Sequence, residues 1–255
     1  MDLRVIKKEL RAQGFICYRN VYMRVKNDVL QSVCVRLRPF CKTYCVHFDV
    51  NPLCRGIWKR HLGLDCIFDF EKYYFDIRPS YMQKWSYARM EDPSKEECLE
   101  SLYQSVFNDL LPLLSEMDSC LHGFDVLLKY LRRCEDNRLA SLKADGDTDG
   151  AIHSFDERIL FEGRLLYMAL KNDNYEFSEK SVTALLKNSE QGYRRAMQMP
   201  EHYTQEWRDS CLENIERRKE LLANIQNRDS EAIHSMLARN EALSLEELKG
   251  IGEWK

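Results

Sequence analysis

The chain has 255 residues, 44% hydrophobic and 31% charged, with 10 cysteines and a formal net charge of −3. That is apolar enough for a real core and carries no long polar tract, which excludes a disordered chain. No run approaches the roughly 18 apolar residues of a membrane-crossing helix.

Met1-Asp2-Leu3-Arg4 leads into a charged amphipathic stretch and not an export signal. The cysteines are therefore expected to be reduced, mostly buried thiols of a cytoplasmic protein, Cys98, Cys120, Cys134 and Cys211 among them, and not a disulfide framework. Charge is unevenly placed. Residues 1–64 hold 13 Lys+Arg against 4 Asp+Glu, a net of +9, and residues 65–255 hold 25 against 37, a net of −12. The two parts either complement each other within one globule, the reading that needs no partner, or offer a basic front to a polyanion.

In chain order, Asp2 to Gln13 places Leu3, Ile6 and Leu10 at helical spacing, and Gly14 stands where a helix would stop. Four alternating segments follow: Phe15–Tyr18, Val21–Val25, Val29–Leu37 and Thr43–Val50, with tight turns at Asn20 and at Lys26-Asn27-Asp28. They predict an antiparallel meander. On its third strand Val29, Val33, Val35 and Leu37 share one face, interrupted by Gln31, and Ser32, Cys34, Arg36 and Arg38 share the other. On its fourth, Val46, Phe48 and Val50 face inward and Cys45, His47 and Asp49 face the opposite way. That second side is either open to solvent or roofed by later helices.

From Asn51 to Asp92 aromatics crowd a stretch of weak periodicity, with Cys66–Phe70 and Tyr74–Ile77 as short strand candidates. So many rings mark a packed junction between layers, with an aromatic-lined pocket as the sharper alternative. Helices follow. Ser94-Lys95-Glu96-Glu97 is a capping box ahead of a stripe of Cys98, Leu102, Tyr103, Val106, Phe107 and Leu110, which Pro112 kinks or divides. Further helices are expected over Leu121–Leu139, over Ile159–Lys171 (capped by Ser154-Phe155-Asp156-Glu157), from a cap at Ser178 to a stop at Pro200, and from Thr204 through Ile225. A short one is expected around Ile233–Leu237, and a last turn capped at Ser244-Leu245-Glu246-Glu247.

Candidate sites are sparse. Cys41, Cys45, His47, Cys54 and His61 are zinc-type ligands, and Cys45 and His47 share a strand face, but the C-x3-C-x-H spacing is not that of a finger or ribbon. The loop Asp145-Gly146-Asp147-Thr148-Asp149-Gly150 matches the first six positions of a calcium loop. Its twelfth is Asp156, a shorter ligand than the usual Glu, in a segment already explained as a helix cap. No nucleophile elbow, H-E-x-x-H or glycine-rich phosphate loop is present, and no cofactor is implied. For polyanion binding the candidates are Arg36, Arg38, Lys42, Arg55, Lys59 and Arg60, with Tyr44 and Trp58 nearby.

The opening block also bears a resemblance. Leu10-Arg11-Ala12-Gln13-Gly14-Phe15, Tyr18-Arg19-Asn20, Tyr22-Met23-Arg24 and Val29-Leu30-Gln31-Ser32-Val33 resemble the bacterial domain-of-unknown-function family numbered 4304, and His47-Phe48-Asp49-Val50-Asn51-Pro52 is similar to that family's next strand. The match spans Met1 to Pro52, and loosely on to Trp85. It implies an α+β fold and a bacterial cytoplasmic origin, and it carries no catalytic residue.

The expectation is thus an α+β protein: a helix and antiparallel sheet module over residues 1–92, then antiparallel helices over residues 93–255 packed on it. Its expected role is non-catalytic, as a protein-interaction or structural module with a protein partner and no membrane. One alternative is nucleic-acid binding by the basic sheet face, and another a hydrolase-type site where sheet and helices meet.

Overall fold

A computed structural model describes residues 3–38, 43–57, 68–69, 96–144 and 159–251. Helix α1 (Leu3–Ala12) ends as its sequence dictates. Gly14 takes a positive φ of 84°, its N–H bonds to Arg11 O, and the Phe15 N–H bonds to Leu10 O at 3.0 Å. This is the Schellman closure, which needs a residue without a Cβ in the left-handed region. Phe15 and Leu10 are both buried in the same core, completing the motif's apolar contact.

The strands β1 (Ile16–Tyr18), β2 (Val21–Lys26), β3 (Val29–Arg38) and β4 (Thr43–Pro52) pair antiparallel in chain order. The two-residue β5 (Phe68–Asp69) adds to β4 at the edge, within the segment expected as a short strand. Arg19 and Asn20 both have positive φ, the backbone of a type I′ turn, whose twist suits a two-residue hairpin.

Beyond the sheet come α2 (Glu96–Gln104), a π-helical turn (Ser105–Leu110), α3 (Leu111–Glu116), α4 (Cys120–Ala144), α5 (Gly163–Lys171), α6 (Tyr175–Gln198), α7 (Gln205–Gln226) and α8 (Ser230–Lys249). The architecture is α+β. Pro112 has no N–H to give and its ring crowds the preceding turn, so the helix widens just before it. The Leu111 N–H reaches back five residues to Val106 O.

The sheet is a middle layer. Against one face, Tyr22, Val33, Val46, Phe48 and Val50 join Ile6 and Leu10 of α1 with Leu110, Leu114 and Leu127 of the later helices. Fully burying each such side chain contributes about 1.5–3 kcal/mol. Gln31 interrupts this apolar row for a reason. Its amide donates to the carbonyls of Leu114 (2.5 Å) and Met117 (3.0 Å) at the end of α3, and its oxygen accepts from Arg24 Nε at 2.8 Å. Arg24 in turn lies over the Phe15 ring, 4.5 Å from its centroid.

The second face is roofed. Val21, Met23, Leu30 and Cys34 pack with Leu53, Ile57 and Leu248 of α8. Here the helix ends differ from expectation. α8 is one helix of 20 residues, where a short helix and a separate capped turn were expected. Ser244 is buried inside it and not a cap: its hydroxyl donates to Leu53 O and accepts from Ile57 N, both at 2.7 Å. Likewise α6 is capped by Asn174 and not Ser178, which sits inside and bonds Asn174 O. The helix expected from Ile159 breaks and restarts at Gly163 with Glu162 as its cap. Thr204 caps α7 as expected, accepting from Trp207 N.

Candidate functional site

Two features stand out. The first is ionic and lies under the second sheet face. β4 presents Asp49 there, opposite Ser32 on β3. Arg164, in the first turn of α5, donates from Nε to Asp49 Oδ1 at 2.5 Å and from Nη1 to Glu162 Oε1 at 2.8 Å. The side chains of Arg164 and Asp49 are only 3% and 2% exposed. Asn51 donates to the other Asp49 oxygen, and Arg55 Nη1 donates to Asn51 Oδ1 at 2.8 Å.

Burial pushes the Asp49 carboxyl upward, against the pull of the Arg164 guanidinium. Burial also works against the Arg164 charge, but Asp49 and Glu162 together hold its pKa above the ordinary value. Beside this network the Tyr167 hydroxyl is raised, first by burial and then by Cys54. Both carboxylate oxygens are engaged and the pair is sealed from solvent. Its physical effect is to lock α5 against the sheet, since parting an ion pair this buried would strand both charges away from water.

The expected site residues fall as follows. His47 is half-buried on the second face of β4, opposite Cys34. Cys45 lies two residues before it, paired in register with Arg36, and its side chain lies outside the described residues. Cys54 is buried, its thiol directed at Tyr167 O. Its neighbour Cys120 is equally buried and has its pKa raised by the hydrogen bond with Cys54 and then by burial. Cys134 is buried as well and Cys211 half-buried, whereas the Cys98 side chain lies outside the described residues.

Among the described residues no group of three or more His, Cys, Asp or Glu is placed to hold a metal ion. Cys41, His61, Asp145, Asp147, Asp149 and Asp156 lie outside the described residues, as do Lys42, Lys59, Arg60 and the side chains of Arg36 and Arg38. Of the polyanion candidates Arg55 is described, and it is exposed, with its guanidinium donating to Asn51 Oδ1. No described helix is long and apolar enough to cross a membrane.

The second feature is a helical arm, built from two of the helices expected to run antiparallel. α6 and α7 pack as an antiparallel hairpin, with Arg218 Nη1 donating to Leu185 O at 2.9 Å and to the Ser189 hydroxyl. Between residues 183 and 220 only Ala196 and Ile215 are buried. Four large apolar side chains at the outer end stand in solvent: Met197 at 54%, Met199 at 39%, Trp207 at 41% and Leu212 at 40% exposure. Trp207 is held against Tyr203, with centroids 4.7 Å apart, and Arg208 pins the turn by donating to Tyr203 O at 3.0 Å. An apolar anchor fixed in advance on an exposed surface is the usual composition of a contact patch.

No protein-family model matches the chain, nor does any curated protein or solved structure.

Proposed function

We propose that the protein acts without catalysis, as a protein-interaction module, and that the outer end of the α6–α7 arm is the surface it presents. The observation that carries this is the exposure of Met197, Met199, Trp207 and Leu212 within sixteen residues of one hairpin end. The sealed Asp49–Arg164 pair supports the same reading from the other side. Asp49 and Arg164, strongly perturbed ionisable groups under the sheet, are paired with one another, so they hold the platform from which the arm projects. In line with the resemblance of the opening block, a bacterial cytoplasmic setting is part of the proposal.

The test is recovery of bound proteins by the tagged chain from its native host. Trp207→Asp with Leu212→Asp should weaken capture by at least about 2 kcal/mol, roughly 30-fold, as loss of an interface anchor does. Leu121→Asp, at an exposed leucine on α4 away from the arm, is the control and should leave capture intact. Capture that survives the arm substitutions, or is lost equally in the control, would overturn the proposal.

A further inference from the structure

We infer that the arm is covered by a second copy of this chain, two arms lying side by side as a four-helix bundle about a two-fold axis parallel to them. This rests on the reading of the arm as a contact surface and names its occupant. The argument is the charge pattern.

Residues 187–198 of α6 hold Lys187, Arg194 and Arg195 against Glu190, a net of +2. Residues 205–213 of α7, at the same level of the hairpin, hold Glu206, Asp209 and Glu213 against Arg208, a net of −2. Among the described residues the ion pairs of the arm are Lys180–Glu176, Arg194–Glu190, Arg217–Glu213 and Lys219–Glu216, each within a single helix, and His202–Glu201 in the turn that joins the two. The charges that differ between the helices are thus turned outward. Lys187, Arg195 and Glu206 are in no ion pair among the described residues.

In a bundle of two hairpins with parallel arms, each α6 has the partner's α7 beside it, running the opposite way. The basic outer half of α6 then meets the acidic outer half of the other copy's α7. A two-fold axis makes that contact twice, so one patch is complementary to itself. Packing α6 on α6 would set like charges together, which selects against the alternative register. Trp207 and Leu212, five residues apart, stand about 140° apart around α7, so the second arm would cover one of these two flanks in the same step.

The experiment is sedimentation equilibrium of the whole purified chain across a dilution series. The expected result is a mass near twice the 30.3 kDa of one chain that falls on dilution. Trp207→Asp with Leu212→Asp should give a monomer that melts as a folded protein. Lys187→Glu with Arg195→Glu should weaken the dimer about tenfold. Adding Glu206→Lys and Asp209→Lys to that variant should restore self-association while abolishing mixing with the wild type, because the swapped arm now complements only itself. A wild type that stays monomeric to about 100 µM would sink the inference. So would a dimer indifferent to these substitutions. If the monomer still captures host proteins through Trp207, the contact-surface reading stands without self-association, whereas capture independent of Trp207 removes that reading itself.

Discussion

An aspartate turned under a β-sheet has to be answered by a cation, and Asp49 is answered by Arg164 through a 2.5 Å hydrogen bond. Removing one partner of such a pair strands the other charge in a sealed space, whereas removing both lets the gap fill with apolar atoms. Asp49→Ala should therefore lower stability by about 3–5 kcal/mol in urea denaturation, and the pair Asp49→Leu with Arg164→Met should cost clearly less than the sum of its single changes. Additive losses would show that the two side chains do not act as a unit. At the surface the sign of a pH effect can be worked out at Asp173. Its carboxyl is held below the ordinary carboxylate range, first by the hydrogen bond from His234 at 2.9 Å and then by Tyr175. A lowered folded pKa gives stability that is present above the unfolded value and lost as the pH falls through the folded one. The melting-temperature advantage of the wild type over His234→Ala should hold at mildly acid pH and close as the pH drops below about 4. An advantage unchanged down to strong acid would mean that the contact is not protonation-linked.

Helix α8 shows how one polar residue can be read two ways. Ser244 followed by Leu245-Glu246-Glu247 has the composition of a helix start, and nothing local distinguishes it from one. In the fold its hydroxyl joins the two ends of the turn Leu53–Ile57, and Asn240, one helical turn earlier, donates to Cys54 O at 3.1 Å. Ser244→Ala should cost about 1–3 kcal/mol, because the Ile57 N–H would be left buried and unpaired, while the Leu53 carbonyl would keep only its bond from the Gly56 N–H. A helix cap lost at an exposed end would cost about 1 kcal/mol and leave the Ile57 amide as protected as before, so hydrogen exchange at Ile57 separates the two roles. The strands of the meander were legible because alternation of period two repeats over whole segments, and Gly14 was legible because its turn demands a residue without a Cβ. Ser244, Asn240 and the Asp49–Arg164 pair were not, since their partners lie 191, 186 and 115 residues away in the chain. Gln31 lay between these cases: a polar residue in an apolar row announced that something must answer it, without saying that the end of α3 would.

Across the whole molecule stability should be graded from the sheet outward. The sheet is covered on both faces, with Val21, Met23, Val33 and Phe48 fully buried, whereas between residues 183 and 220 the arm buries only Ala196 and Ile215. Helices draw most of their stability from packing of an apolar face, so two helices holding mainly each other open at lower cost than the core beneath them. Hydrogen exchange on dilute protein should show β2, β3 and β4 protected near the global limit, and the outer halves of α6 and α7 exchanging through local opening. Raising the protein concentration should slow exchange in residues 187–213 while leaving the sheet unchanged, because a second arm covers the first only when copies meet. An arm as protected as the sheet in dilute solution would show that the hairpin is stable by itself, and the exposed Trp207 would then no longer argue for a missing neighbour.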